Sequence, residues 1–391
     1  MESSVSGASR FAAAYEAGTD IGALCRTVRE QLGAAPHLAL AFVAAAHRER
    51  MAEIAAAMHG ALGTEAILGC TAESIACNAR EYEEPTGIAL WAAHLPGASV
   101  TPMQLEFQAA TDGGAFVGWP AALPDTWPAG AALILLADPF SFPADVLLAR
   151  LNESQPALPI VGGMASGGFS PGETRLLLGG REVRTGAVAA LVHGPVRIST
   201  VVSQGCRPIG RPFVVTKAER NIILELGGRP ALEQLQELFG TLSREEQQLA
   251  RQGLHVGQVI NEYRETFGRG DFLVRNVQGV DPQSGAIAIG DWVRVGQTVQ
   301  FHVRDAASAD EDLTALLAAG ASGAGDCRGA LLFTCNGRGT RLFDGPDHDA
   351  ACVARQWPGA ALAGFFAQGE IGPIGGKNFL HGFTASVALF E

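Results

Sequence analysis

The chain has 391 residues, a formal charge of −12, only 17% charged residues and 49 glycines. The apolar content excludes disorder, and the glycine excludes a long coiled coil. An acidic chain without a basic run argues against a nucleic-acid or anionic-membrane binder, and no apolar run approaches the roughly 18 residues of a membrane span. From the start, residues 1–35 read as an N-terminal helical segment. Asp20 is placed to cap a helix, and Ile21, Leu24, Cys25, Val28 and Leu32 give it an apolar stripe.

Three stretches then share one layout. They begin at Leu38 (LALAFVAAAH), Ala131 (AALILLADPF) and Ala330 (ALLFTCNGRG). In each, an apolar strand is followed by a helix-sized segment and a second apolar strand ending in Gly69, Gly162 or Gly364. A small-residue loop comes next, and a third strand starts near Gly87, Gly186 or Gly382. The unit reads strand, helix, strand, loop, strand, and flanking a helix with parallel strands implies a right-handed crossover. Between the second and third stretches, 207–215 is extended, broken by two prolines, and 231–252 is one long helical stretch. Residues 271–304 alternate strand and turn, with DPQSG at 281–285 as a hairpin turn, and 312–319 is a short helix. The expected class is α/β, with two domains of mixed sheet and flanking helices in an αββα-like layering, and a break near 195–220.

Standard catalytic motifs fail on inspection. GEIGPIGGKN at 369–378 has Ile371 where a phosphate loop needs Gly, and MASGG around Ser166 has Met164 where a nucleophile elbow needs Gly. Asp347, His348, Asp349 and Cys352 read as one solvated loop with a nearby thiol, so no metal and no cofactor is expected. Seven cysteines without a CxxC pair read as reduced thiols, and the start lacks a signal-peptide layout, which together place the chain in the cytoplasm.

Charged residues in apolar strand contexts need partners. Arg275, Arg304 and Arg338 stand at or near strand ends, where each either forks onto a carboxylate ligand or closes a structural ion pair. Cys335 lies near Arg338, as an activated thiol or a small buried hydrophobe. Glu370 and His381 flank the last glycine-rich loop. His381 corresponds to Thr86 and Thr185 in the other two stretches.

The stretches 204–235, 270–291, 299–306, 331–339 and 363–373, with GCTAES at 69–74, resemble the FIST family (F-box and intracellular signal transduction). The resemblance runs from about residue 36 to the end. It implies a FIST N-terminal domain at 36–210 and a FIST C-terminal domain at 211–391, acting as a sensory unit for small ligands such as amino acids. With only 35 residues ahead of it, the chain reads as a freestanding sensor, whose output runs through a signalling partner in trans or through homo-oligomerisation. The family supplies no catalytic residues.

The leading expectation is therefore a cytoplasmic sensory protein binding an amino acid or similar carboxylate. Its site is drawn from Arg275, Arg304, Asn336, Arg338, Gly364, Gln368, Gly369 and Glu370. The arginines would take the carboxylate, Glu370 the ammonium, and backbone N–H groups between Gly364 and Gly369 would add donors. Two alternatives stand beside it: an enzyme using Cys335 or a Glu370/His381 pair, and a protein-interaction scaffold with an exposed apolar patch.

Overall fold

A computed structural model describes residues 7–18, 20–111, 113–323 and 326–391. The fold is α/β, in two compact units. The larger takes the described residues up to Val202 together with Leu313–Leu380 and Thr384–Glu391. The smaller takes Ser203–Asp312 and His381–Phe383. This spatial division differs from a cut at residue 210, because the third stretch packs with the first two.

In the larger unit each of the three segments has the same order of elements. The first is strand Leu38–Ala44, helix Met51–Leu62, strand Ile67–Ala72, hairpin Ile75–Cys77 with Arg80–Tyr82, and strand Ile88–His94. The second is Ala132–Ala137, Ala144–Ser154, Ile160–Met164, Leu176–Leu178 with Arg181–Val183, and Ala187–His193. The third is Gly329–Cys335, His348–Gln356, Ala361–Ala367, Glu370–Ile374 with Lys377–His381, and Thr384–Phe390. The first two strands of each segment are parallel. A further strand (Arg10–Glu16, Ser99–Gln108 or Ile198–Gln204) borders the last strand of each segment, giving three separate sheets.

The hairpins are exchanged between segments. The first segment's hairpin pairs with the third's second strand, Ala76 opposite Gly364. The second's pairs with the first, Leu177 opposite Gly69, and the third's with the second, Ile371 opposite Gly162. The three repeated glycines therefore sit inside strands rather than at their ends. A Cβ at Gly364 would lie 1.8 Å from the Leu332 carbonyl oxygen of the parallel neighbour. At Gly162 it would lie 1.8 Å from that of Leu135, and at Gly69 2.5 Å from that of Ala41.

Each first strand is apolar on both faces, as parallel strands covered on both sides must be. Leu38, Leu40 and Phe42 face a core shared by all three sheets, together with Ile134, Leu136, Leu331 and Phe333. The alternate residues Ala39, Ala41 and Val43 face helices Ile21–Leu32 and Met51–Leu62. The larger unit is thus three sheets around one core, each carrying its helical cover outside.

The smaller unit is an antiparallel sheet ordered Cys206–Glu219, Thr298–Arg304, Leu254–Val259, Phe272–Asp281, Ala286–Ile289, Ile222–Leu226, with Arg229–Pro230 beyond it. Cys206–Glu219 also pairs with Ile222–Leu226, so the sheet closes on itself around Phe213, Val256, Ile287 and Phe301.

Three expectations are corrected. The stretch before residue 36 is not helical throughout: Arg10–Glu16 is a strand paired with Ile88–His94, ahead of the helix that Asp20 caps. The stretch 231–252 is two helices, Ala231–Thr241 and Arg244–Gln252, because Ser243 and Glu246 form a capping box that starts a new helix. The helix expected at 312–319 runs over Ala306–Gly323.

Gly364→Ala should destabilise the protein by about 3 kcal/mol or more, since the added methyl overlaps backbone that cannot swing away. Gly60→Ala, on an exposed helical position with open space around it, should gain up to about 1 kcal/mol. Urea unfolding midpoints of the two variants check both signs.

Candidate functional site

Open α/β sheets place ligands beyond the carboxyl ends of their parallel strands. In the third segment, strand Gly329–Cys335 ends in a tight turn, closed by the Arg338 N–H donating to the Cys335 carbonyl at 2.8 Å. Arg338 then turns inward and is 1% exposed. Its Nε and Nη2 fork onto Asp349 at 2.7 and 2.8 Å, and its guanidinium lies 5.2 Å from the centre of the Phe343 ring. Thr334 and His348 also hydrogen-bond the Asp349 carboxylate. Burial alone would raise the Asp349 pKa. The Arg338 charge and these hydrogen bonds hold it well below the usual carboxylate range.

Glu370 opens the exchanged hairpin and is fully buried. Its Oε2 accepts from the Thr384 N–H at 2.9 Å and from the Thr384 hydroxyl at 2.7 Å. Burial pushes its pKa up to about 8, against the opposing pull of Thr384, the Cys335 thiol and Arg338. The carboxyl is therefore neutral at pH 7.

On the Asp349 side, where Glu81 reaches the Ala350 N–H, lies an open cleft of about 800 Å³. It is walled by Glu73 after the first segment's second strand, by Glu81, Glu83 and Glu84 from its hairpin and the loop beyond, and by Thr340 and Arg341 from the third segment. The Thr340 N–H donates to Glu83 at 2.8 Å. Arg341 pairs with Glu73 and donates to the Asn336 carbonyl at 2.7 Å. The Glu73 N–H is held by the Ser166 hydroxyl at 3.0 Å, while its Oε2 is buried without a hydrogen bond among the described residues. Glu81 accepts from the Ala350 N–H at 3.0 Å, and burial together with the nearby Asp349 charge pushes it up to about 7. Four carboxyl groups face one arginine.

The sequence-derived set is divided by the fold. Arg275 and Arg304 belong to the smaller unit, where Arg275 pairs with Asp291 at 2.7 Å and Arg304 lies 5.5 Å from the Phe383 ring centre. His381 belongs to that unit too. Asn336, Arg338, Gly364, Gln368, Gly369 and Glu370 are in the larger unit. The backbone from Gly364 to Gly369 offers no row of donors: the Phe366 N–H goes to Ser74 and the Gln368 N–H to Met164, while the Gly369 carbonyl receives Met164. The 347–352 stretch is not a solvated loop, since Asp349 is 1% exposed and Cys352 is buried. Glu370 lies at the start of a strand, and GEIGPIGGKN forms the exchanged hairpin with Gly375 and Gly376 at its turn. All seven cysteines are buried and none is in a disulfide, and burial pushes Cys25 and Cys327 up to about 11.

Sequence reasoning missed Glu73, Glu81, Glu83 and Arg341. The visible signal was the acidic run EYEE at 81–84 just ahead of Pro85, close after GCTAES.

The FIST N domain matches residues 37–229 and the FIST C domain residues 231–373. The chain belongs to the FIST family. It is 44% identical over 364 residues to an "uncharacterized protein" of Mycobacterium tuberculosis, covering 93% of each chain. It is 43% identical over 362 residues to another of Mycobacterium bovis, covering 92% of each. FIST domains are associated with sensory and signal-transduction roles and with binding small ligands. The boundary between the two FIST matches falls inside the smaller unit, so most of the smaller unit shares one match with the third segment as far as residue 373. Among the described residues, no helix of this FIST protein is long and apolar enough to cross a membrane.

Two buried carboxyls with opposite shifts give this FIST protein a pH signature. Glu370 ionises above about 4.3 when unfolded but only near 8 when folded, so stability is full below that lower value and falls as pH rises between the two. At pH 7 the loss is on the order of 3 kcal/mol. Asp349 acts oppositely: its contribution is present above its unfolded value of about 3.9 and is lost as pH falls. Glu370→Gln should make the decline between pH 5 and 8 in urea unfolding shallower, leaving the part that Glu81, raised to about 7, contributes, and should leave the acid limb in place.

Proposed function

We propose that the chain is a sensory protein that takes an amino acid in the cleft between the first and third segments. The observation that carries this reading is the cleft itself, whose walls offer several carboxyl groups and one arginine at strand carboxyl ends. Glu73 and Glu83 receive the ammonium, and Arg341 turns from Glu73 to the ligand carboxylate. The excess of acid over base selects amino acids with a second cationic group. Glu370 and Arg338 do not touch the ligand. The first is neutral and the second is committed to Asp349. They brace the loop that carries Thr340 and Arg341. Ligand in the cleft ties this loop to the first segment's hairpin, and the changed surface is read by a signalling partner or by a second copy of the chain.

A thermal-shift and calorimetric panel tests the reading with lysine, arginine, alanine, glutamate and putrescine. Lysine or arginine should bind most tightly, with about 2.7 kcal/mol of stabilisation at a hundredfold excess over Kd. Glu73→Gln should weaken that binding at least tenfold, and Arg341→Ala should weaken lysine but not putrescine. Equal affinity for glutamate and lysine, or no response to any compound, sinks the assignment.

A further inference from the structure

The second segment departs from its neighbours on its outer face. The first sheet is covered by two helices, Ile21–Leu32 and Met51–Leu62, and the third by Leu313 and Leu317 of one helix beside His348–Gln356. In the second segment only Ala144–Ser154 covers the sheet. The place of the other helix is taken by residues 113–131, where Pro120, Pro124 and Pro128 forbid a helix. Phe116, Trp119, Leu123 and Trp127 of this stretch pack only partly against the core. Between them and the helix lies a pocket of about 460 Å³, the room left where a second helix would stand.

The pocket is held open by hydrogen bonds. The buried Gln155 at the end of the helix accepts from the Trp127 N–H at 3.0 Å and donates to the Asp125 carbonyl at 2.6 Å, clamping the stretch to the helix. The Trp119 indole donates to the Phe116 carbonyl at 3.1 Å. The two indoles meet at 5.9 Å between ring centres. One wall is therefore aromatic and the other, Leu147 and Leu151, aliphatic. At its mouth stands Arg150. Nη2 donates to the Gly114 carbonyl at 3.0 Å and the guanidinium lies 5.3 Å from the Phe116 ring centre, which fixes it against the pocket. Among the described residues no carboxylate pairs with it. A cavity walled by aromatic and aliphatic side chains, with one positioned guanidinium that no carboxylate among the described residues engages, fits a ligand with a flat apolar body and an anionic end.

We propose that this pocket is a second ligand site, for a small aromatic carboxylate. The ring lies against Trp119, Trp127 and Leu151, and Arg150 takes the carboxylate. The site is separate from the acidic cleft and does not depend on the reading given to it. The aromatic wall makes it observable. Phenylacetate, uncharged benzyl alcohol and cationic phenethylamine, the last a probe for Asp125 on the rim, would be titrated against tryptophan fluorescence of the full chain. The same titrations would be run on Arg150→Gln, an exposed substitution whose thermal unfolding should match the parent, and on Glu73→Gln. Saturable quenching by phenylacetate is expected, at least tenfold weaker in Arg150→Gln and unchanged in Glu73→Gln, with benzyl alcohol weak and equal in all three proteins. Overturning results are no saturable change with any compound, tighter binding of phenethylamine than of phenylacetate, or an unaltered phenylacetate affinity in Arg150→Gln.

Discussion

Each sheet of the larger unit is completed by a hairpin from another segment, and this exchange governs the rest of that unit. The second strand of each segment would otherwise expose an apolar edge, which an isolated β-structure cannot tolerate. The exchange runs in a ring, so no segment is finished before the other two are in place. Side chains tighten the ring from within. Trp91 donates its indole N–H to the Ala361 carbonyl at 2.9 Å, and Phe42 stacks on Phe365 at 5.2 Å between centres. Such pairings join residues hundreds of positions apart. Loop-closure entropy must be met before they contribute, so the unit folds slowly and as a whole.

The same exchange builds the cleft. Glu81 and Glu83 reach Ala350 and Thr340 only because the first segment's hairpin is seated on the third segment's second strand. The acids come from one segment and the arginine from the other, so the charge pattern of the cleft exists only in the assembled ring. The Arg338–Asp349 pair lies behind the loop that carries Thr340 and Arg341. A buried ion pair of this kind adds little net stability, but removing one partner strands the other charge at a cost of about 3–5 kcal/mol. Its effect is to fix the loop's conformation.

The strands were legible because their apolar runs are continuous. Residues such as LALAFVA and ALILLA serve two cores at once, and no other arrangement of a short run buries both faces. The hairpins were illegible for the opposite reason. Strands of three residues, such as Ile75–Cys77 and Leu176–Leu178, are too short to show alternation, and their partners lie in other segments. The repeated glycines stand out in the sequence, but their purpose does not. A mid-strand glycine that lets a carbonyl oxygen approach and a loop glycine that exposes an N–H look alike in sequence. The arginines illustrate the same limit. An arginine in an apolar context announces that it needs an anion, and nothing local says whether the anion is Asp349 within the fold or a ligand outside it.

Glu370 breaks the pattern most sharply. Its register places it opposite Gly163, where the corresponding residues of the other hairpins are Ile75, opposite Phe365, and Leu176, opposite Cys70. Both of those side chains are fully buried in the shared core. An aliphatic residue at 370 would suit that core better and would spare the cost of drying a carboxyl. It would also remove a tie between the hairpin and the strand that follows it. The Thr384 N–H and hydroxyl both meet the carboxyl, and Thr384 opens the last strand of the same segment. The bond therefore fixes how the third hairpin leaves its own sheet to reach the second strand of its neighbour. Without it the carboxyl would be buried unsatisfied, at a penalty of about 1–3 kcal/mol for a neutral group and more for a charged one. The polar group weakens the packing of the core and in exchange sets the hairpin's direction, a constraint that an aliphatic residue at this position could not supply.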